Sequence, residues 1–346
     1  MTENNFIKAL NRRNDGTPPV WMMRQAGRYH AHYQNLKKTY TFEQLCKDPK
    51  LAAEVAMGPI NDFDFDAAIL FSDILFPLEI LGTPLEFNPG PKLGFHIKTP
   101  EDLNRYTKNP DVSKLDFQAE ALRLTRAALP EAKSLIGFVG SPLTLYVFAV
   151  HGTHKTDLTD ARNGLRDGRF EDFMEHLLPV LLANMISQAK AGPDVMAVFD
   201  SCAGDIALED YEAIYLPYLN KLLKNFRDAC PDMPVIYYGQ NIGQTHWDLL
   251  KTLPVEVLGV DHRQEMEEAL INQSARFALQ GNFNPDHLTL EIDECQIKID
   301  EFLGTIQELP AGLRKGWIAG LGHGVTPFAK EQNVRNFISS LRNRNW

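Results

Sequence analysis

The sequence predicts an α/β fold, a single (β/α)8 barrel of the TIM type, with its active site at the C-terminal mouth of the strands. Three observations predict it. Eight short apolar runs recur along the chain, each nearly continuous instead of alternating, which is the pattern of parallel strands covered on both faces. Helical patterns separate the runs, and alternation of the two is the mark of a parallel α/β architecture. No Gly-x-Gly-x-x-Gly follows the first run, which counts against the doubly wound dinucleotide-binding sheet that is the alternative.

In chain order the runs are 19–23 (PVWMM), 67–71 (AAILF), 135–139 (LIGFV) and 195–199 (VMAVF), then 235–238 (VIYY), 255–260 (VEVLGV), 276–279 (RFAL) and 316–321 (GWIAGL). The helical stretches are 41–61, where Pro49 splits two helices, then 115–129, 167–191, 208–229, 243–253, 263–274 and 291–309; a proline inside a helix removes a donor and crowds the preceding turn. Residues 81–100, rich in proline and glycine with no helical period, read as a long excursion after the second strand, a small hairpin being one form of it, and not as a domain boundary. No linker or low-complexity tract divides the chain, so residues 1–346 are expected to form one domain, with an N-terminal extension and an excursion at about 76–100.

Composition narrows the function classes. A net charge of −10 argues against non-specific nucleic-acid binding, which leans on broad basic surface. No segment reaches the roughly 18 uninterrupted apolar residues of a membrane span, and the first residues, with an early acid and no apolar core, do not read as a secretory signal. The four cysteines (Cys46, Cys202, Cys230, Cys295) form no Cys-x-x-Cys pair. That pattern fits a reducing, cytoplasmic setting and offers neither a disulfide framework nor a zinc knuckle.

In a barrel the residues that end the strands build the site. Here they are Arg24, Ser72-Asp73, Gly140-Ser141-Pro142, Asp200-Ser201, Gly239-Gln240-Asn241, Asp261, Gly281-Asn282 and Gly322-His323-Gly324. The first ending is the most unusual: Trp21–His30 reads WMMRQAGRYH, with Arg24 and Arg28 flanking a glycine directly after a buried run. Such a string is also an ordinary solvated strand exit. Taken together the endings put two arginines, two or three carboxylates, a serine and a histidine around one opening, with no nucleophile–base pair. Ser201 lacks a Gly-x-Ser-x-Gly elbow, there is no His-Glu-x-x-His helix or lysine-bearing phosphate loop, and no lysine ends a run. His30 and His32 lack a third ligand, so no metal is expected there, and Cys202 reads as a packed residue. The GLGHG around His323 fits a phosphate-binding barrel as a rival, since loops after the last strands often present backbone N–H groups.

Six stretches then carry a resemblance. PVWMMRQAGRY (19–29), AAILFSDIL (67–75), GFVGSPLTL (137–145), VFDSCAG (198–204), LQGNFNP (279–285) and GLGHGVTP (320–327) resemble, in family order, the uroporphyrinogen decarboxylases of haem biosynthesis. The resemblance implies a barrel, usually a homodimer, that removes the four acetate carboxyls of uroporphyrinogen III stepwise to give coproporphyrinogen III, with no metal and no organic cofactor. It implies that Arg24 and Arg28 hold substrate carboxylates and that Asp73 sits under the macrocycle accepting pyrrole N–H bonds. Gln25, Ala26, Gly27, Phe148, Ser201 and His323 would complete the substrate site. An arginine fork meets a carboxylate in two hydrogen bonds and keeps its charge, and Gly27 permits the tight path between the two.

Two departures from the family pattern stand out. Phe148 occupies the place of a tyrosine that bonds the substrate, keeping the ring and losing a donor worth about 0.5–1.5 kcal/mol. Tyr146 does not replace it, because two residues along a helix turn the side chain to a direction about 160° away. After the clamp, the usual Arg-Tyr-Leu-Pro-Glu-Tyr is RYHAHY (28–33), which brings His30, Ala31 and His32. These departures keep an altered or non-catalytic tetrapyrrole-binding relative in view. A zinc- or cobalamin-linked methyltransferase of the same superfamily is weaker, because YYGQNIG (237–243) contains neither histidine nor cysteine.

Overall fold

The computed structural model describes residues 3–88 and 90–346. Seven parallel strands form one curled sheet: β1 (Ala67–Ile69), β4 (Ser134–Gly140), β5 (Val195–Asp200), β6 (Val235–Gly239), β7 (Val257–Gly259), β8 (Ala278–Gln280) and β9 (Trp317–Ile318). The two missing numbers, β2 (Leu85–Phe87) and β3 (Pro91–Leu93), are a separate antiparallel hairpin. That hairpin is the excursion read from the proline- and glycine-rich stretch. In the sheet each strand lies beside the next in chain order, the order of a singly wound sheet and not of a doubly wound one, whose order reverses. All positions of β4, β5 and β6 are buried, which is why their sequences do not alternate.

The first apolar run departs from expectation. It forms no strand, only a single parallel bridge from Val20 to Ala319. Trp21 N–H donates to the Ala319 carbonyl at 3.2 Å and Ala319 N–H to the Pro19 carbonyl at 2.8 Å. On its other side Asp66 N–H donates to the Val20 carbonyl at 2.9 Å, while the Val20 N–H is taken by the Asp66 carboxylate at 2.8 Å. The segment therefore lies between β9 and β1 with few ladder bonds. Pro18 and Pro19 have no N–H to give, and Arg24 leaves the extended region altogether at φ +63°.

Most helices fall where the 3.6-residue period places them. The split at Pro49 is real: Phe42–Lys47 carries a capping box between Thr41 and Gln44, and Pro49–Phe63 starts with its proline in the first turn and Asp48 capping Lys50 and Leu51. The stretch 208–229 is helical throughout, with a π-turn at Tyr211–Tyr215 between Leu208–Asp210 and Leu216–Ala229 that turns two tyrosines inward toward the end of β5. Helix Pro142–His151, directly after β4, is buried at every position from Pro142 to Val150, so it is an interior element instead of a surface one.

The core is continuous from helix Asn5–Leu10 to helix Glu331–Arg342. Trp21 and Trp317 are both fully buried in it, and Trp317 donates its indole N–H to the Gly281 carbonyl at 2.8 Å. Where the first segment meets the last strand, backbone approaches backbone. A Cβ on Gly320 would lie 2.4 Å from the Trp21 carbonyl oxygen.

Gly320→Ala is therefore expected to destabilise the chain by about 1–3 kcal/mol, the usual cost of overpacking, and to lower the thermal midpoint by a few degrees. Gly312→Ala, whose added methyl meets nothing within 4 Å in the short helix Ala311–Arg314, serves as the neutral control. Equal midpoints for the two variants in thermal denaturation would show that the first segment is not clamped there.

Candidate active site

The site begins with a backbone conformation. Arg24 adopts a left-handed φ of +63°, uncommon outside glycine and costly for a long side chain. What holds it is Gln25, which is buried: its side-chain oxygen accepts the Met22 N–H at 3.2 Å and its amide donates to the Ala67 carbonyl at 3.0 Å. Gln25 thus stitches the first segment to β1 and keeps its side chain out of the mouth, unlike the contact role the resemblance assigns it. Tyr29 fixes the far side of the turn, donating its hydroxyl to the Gln25 carbonyl at 2.8 Å. At Gly27 a Cβ would lie 2.8 Å from the Arg24 carbonyl oxygen. Among the described residues, the amides of Ala26, Gly27 and Arg28 have no protein acceptor, the kind of concavity that receives anions.

Arg24 and Arg28 make no ion pair among the described residues. Arg24 keeps accessible surface although protein surrounds it on most sides. Burial lowers its pKa; Asp73 opposes that shift and Arg28 adds to it. Asp73 follows β1 and is half-buried. One of its oxygens accepts the Leu75 N–H at 2.9 Å, ahead of helix Phe76–Ile80, and the other has no protein donor among the described residues. Desolvation pushes its carboxyl up to about 6, against the Leu75 amide and the Arg24 charge.

The last loop forms the wall beside Arg24. A Cβ on Gly324 would sit 2.6 Å from Arg24 Cδ, so only glycine lets the arginine lie there. His323 accepts the Gly324 N–H on Nδ1 at 2.7 Å, which leaves Nε2 to carry the proton in the neutral ring. Burial, with help from Arg24, brings its pKa down to about 4, so at neutral pH His323 is an uncharged donor and not a stored proton. The Tyr238 ring stands edge-on to it at 6.3 Å, anchored by a 3.0 Å bond from its hydroxyl to the Gly322 carbonyl. Tyr238 also feels Arg24 electrostatically.

Of the three carboxylates that end strands, only Asp73 is open. Asp200 is fully buried and accepts hydroxyl protons from Tyr215 at 2.6 Å, Tyr237 at 2.8 Å and Thr144 at 3.0 Å. Asp261, equally buried, accepts from the amides of Asn241 and Arg263 and from the Arg263 guanidinium at 2.8 Å. Both are internal staples, which corrects the count of carboxylates around the opening. Ser201, one residue past Asp200, is half-buried and free of protein hydrogen bonds among the described residues. Cys202 beside it is buried, and burial with the neighbouring Asp200 pushes its thiol up, so it stays unreactive.

Phe148 is buried on helix Pro142–His151. Tyr146 indeed points elsewhere, standing edge-on to Phe170 at 5.1 Å with its hydroxyl over Gly164. The two histidines after the clamp also face away from the mouth. His30 is fully buried with Nε2 bonded to Asp62 at 2.7 Å, and the His32 ring lies on Gly58, where a Cβ would meet it at 2.4 Å. Sequence reasoning passed over Tyr238 and over His154, whose ring is 5.6 Å from Phe148; neither ends a strand in a way that marks it. Surface hollows of about 530 Å³ at Pro49, Phe117 and Lys190 and of about 300 Å³ at Lys224, Lys251 and Arg276 contain no strand-end residue. Among the described residues no three His, Cys, Asp or Glu side chains converge as metal ligands, and no helix is long and apolar enough to cross a membrane.

A family model described as uroporphyrinogen decarboxylase (URO-D) matches residues 1–344. Proteins named uroporphyrinogen decarboxylase from Roseiflexus sp. (strain RS-1) and Myxococcus xanthus (strain DK1622) are each 34% identical to the chain. They cover 97% and 93% of it, and the matches span 97% and 91% of their own lengths. Among solved structures, a methyltransferase from Methanosarcina mazei matches at TM-score 0.73 and 15% identity, covering 98% of both chains. A putative vitamin-B12-independent methionine synthase from Listeria monocytogenes matches at TM-score 0.53 and 12% identity, covering 95% of this chain and 96% of its own. At such identities the structural likeness shows the fold alone.

The raised Asp73 carboxyl sets a pH-dependent stability. Between about pH 4, where a free aspartate ionises, and the folded value of about 6, the folded chain holds a proton that the unfolded chain has released. The contribution of this group therefore becomes more favourable as pH falls from 6 to 4, and its cost is full above 6. Asp73→Asn keeps the bond to Leu75 and removes the buried charge. It is expected to melt above the native chain at pH 7.5, with the gap closing toward pH 4.5; a variant melting below the native chain at pH 7.5 would contradict the desolvation of Asp73.

Proposed function

The chain belongs to the uroporphyrinogen decarboxylase family, a family of carboxy-lyases of tetrapyrrole biosynthesis, and from that premise we propose how its strand ends do the work. Arg24 and Arg28 receive substrate carboxylates, the free amides of the Ala26–Gly27–Arg28 turn assist them, and Asp73 faces the pyrrole rings. Ser201 and the Nε2–H of His323 bond peripheral carboxylates. Phe148 lends an apolar wall. What supports this reading is that, among the described residues, Arg24 and Arg28 have no carboxylate partner and Asp73, the strand-end acid with an open oxygen, acts on Arg24. An acidic ligand completes that charge set, while the net charge of −10 over the whole chain keeps unspecific anions away.

The chemistry balances without an oxidant or a cofactor. The pyrrole carbon that carries an acetate arm takes a proton, and the ring becomes cationic. The bond between the arm's methylene and its carboxylate then breaks, its electron pair moves into the ring, and CO2 leaves. Protonation of the exocyclic methylene gives a methyl group, and the ring carbon returns its proton. One proton is consumed for each CO2 released. Asp73, ionised above about pH 6, stabilises the cationic ring across a partly desolvated gap, where a fixed charge acts more strongly than in water.

This reading includes a closed eight-stave barrel, in which the 19–23 segment bridged to Ala319 and hydrogen-bonded at Asp66 serves as the last stave. It also includes a homodimer, carried over from the resemblance alone, and a cytoplasmic setting, in keeping with four unpaired cysteines.

Anaerobic incubation with uroporphyrinogen III is expected to yield hepta-, hexa-, penta- and tetracarboxylate products in sequence, read by chromatography after oxidation to porphyrins. Absence of all four would overturn the assignment. In the same assay Asp73→Asn should abolish turnover while the fold survives, and native-like rates would remove Asp73 from the mechanism. Arg24→Lys should raise KM about tenfold, since one charge-assisted bond of the fork is lost at about 1.5 kcal/mol; unchanged KM and kcat would take Arg24 out of the clamp.

A further inference from the structure

His154 lies between helices Pro142–His151 and Thr159–Gly164 and belongs to none of the stretches that carry the family resemblance. Its ring centroid stands 5.6 Å from that of Phe148, the planes tilted by 57°. Its Nδ1 is buried and has no hydrogen-bond partner among the described residues. The charged groups that act on it are Lys155, Asp205 and Arg24, so it lies within electrostatic range of the clamp arginine and of an acid in the loop that follows Ser201. A buried ring nitrogen left without a partner is expensive, and beside Phe148 it is a hydrogen-bonding group still to be satisfied.

We infer that His154 is a substrate-binding residue: its imidazole gives a carboxylate of the polyacid the hydrogen bond that the phenyl ring at 148 cannot. The inference rests on the reading of this cup as the polycarboxylate site. It accounts for the departure at Phe148 without lost function, because the donor has moved from the helix to the next loop. Burial, with Lys155 and Arg24, lowers the pKa of the imidazole while Asp205 opposes them. In its neutral form the ring carries one N–H and one lone pair, enough for a single directed bond to an oxygen that Arg24 already attracts.

The test compares His154→Leu, which removes both nitrogens, with His154→Gln, which restores a donor, each alone and with Phe148→Tyr. Equilibrium binding of uroporphyrinogen III is measured anaerobically beside KM, kcat and the melting midpoint. His154→Leu is expected to weaken binding and raise KM about three- to tenfold, the worth of one such hydrogen bond, with kcat within twofold and the midpoint not lowered. His154→Gln, or Phe148→Tyr added to His154→Leu, should bring KM back to within twofold of native. Native binding by His154→Leu, or failure of both rescues, would overturn the inference. If His154→Leu does not fold, His154→Phe, which keeps a ring and removes both nitrogens, takes its place with the same expected outcomes. A native chain that binds uroporphyrinogen and releases no CO2 would overturn the decarboxylase reading instead, while the His154 contact is still read from binding.

Discussion

An unbalanced set of charges in a concave, half-dry place is the constraint on which the rest of this structure depends. Two guanidiniums without carboxylate partners among the described residues lie close enough to act on one another, and Arg24 acts on a carboxyl that burial makes reluctant to ionise. Left to itself such a site costs stability, because Arg24 and Asp73 have lost water and gained only part of a counter-charge. The surrounding fold has to hold it open. It does so with backbone devices: the left-handed turn at Arg24, the Gln25 stitch to β1, and the glycines at 27 and 324 that let main chain and guanidinium approach. A ligand with several carboxylates and a ring able to carry positive charge supplies what is missing on both counts.

The neighbouring strand ends show how the same residue type does opposite work. Asp200 and Asp261 are as buried as any residue in the protein, yet each is saturated with donors from its own and adjacent elements. Such a carboxylate ties loops together and is unavailable to a ligand. The tyrosines that saturate Asp200 come partly from the π-turn at Tyr211–Tyr215, a local irregularity that makes sense as the means of delivering a hydroxyl inward. Asp73 differs in having one amide donor and one open oxygen. Its function follows from what it lacks.

Redistribution of a donor also explains why the mouth tolerates an apolar residue at 148. The helix after β4 is buried all round, so a polar group on it must find a partner or a ligand. Moving the polar group to the adjacent loop, at His154, relieves the helix of that demand and keeps a nitrogen beside the ring at 148. Tyr146 on the same helix does not compensate, since its hydroxyl is turned toward Gly164 on the far side.

By itself the sequence determined the periodicities and therefore the order of strands and helices. It determined the helix break at Pro49, the hairpin among the prolines and glycines, and the juxtaposition of two arginines around Gly27. These are local properties: side-chain period, missing amide protons and glycine's freedom act within a few residues. Only the tertiary structure decided which aspartate is open, that Gln25 is a stitch, that His30 and His32 pack on helix Pro49–Phe63, and that His154 meets Phe148. In each case the deciding partner comes from another element. Tyr237 reaches Asp200 across 37 positions and Gln25 reaches Ala67 across 42. An aspartate after an apolar run looks the same in sequence whether its donors are protein hydroxyls or a substrate's pyrrole N–H groups, because hydrogen-bond saturation is a property of the packed neighbourhood.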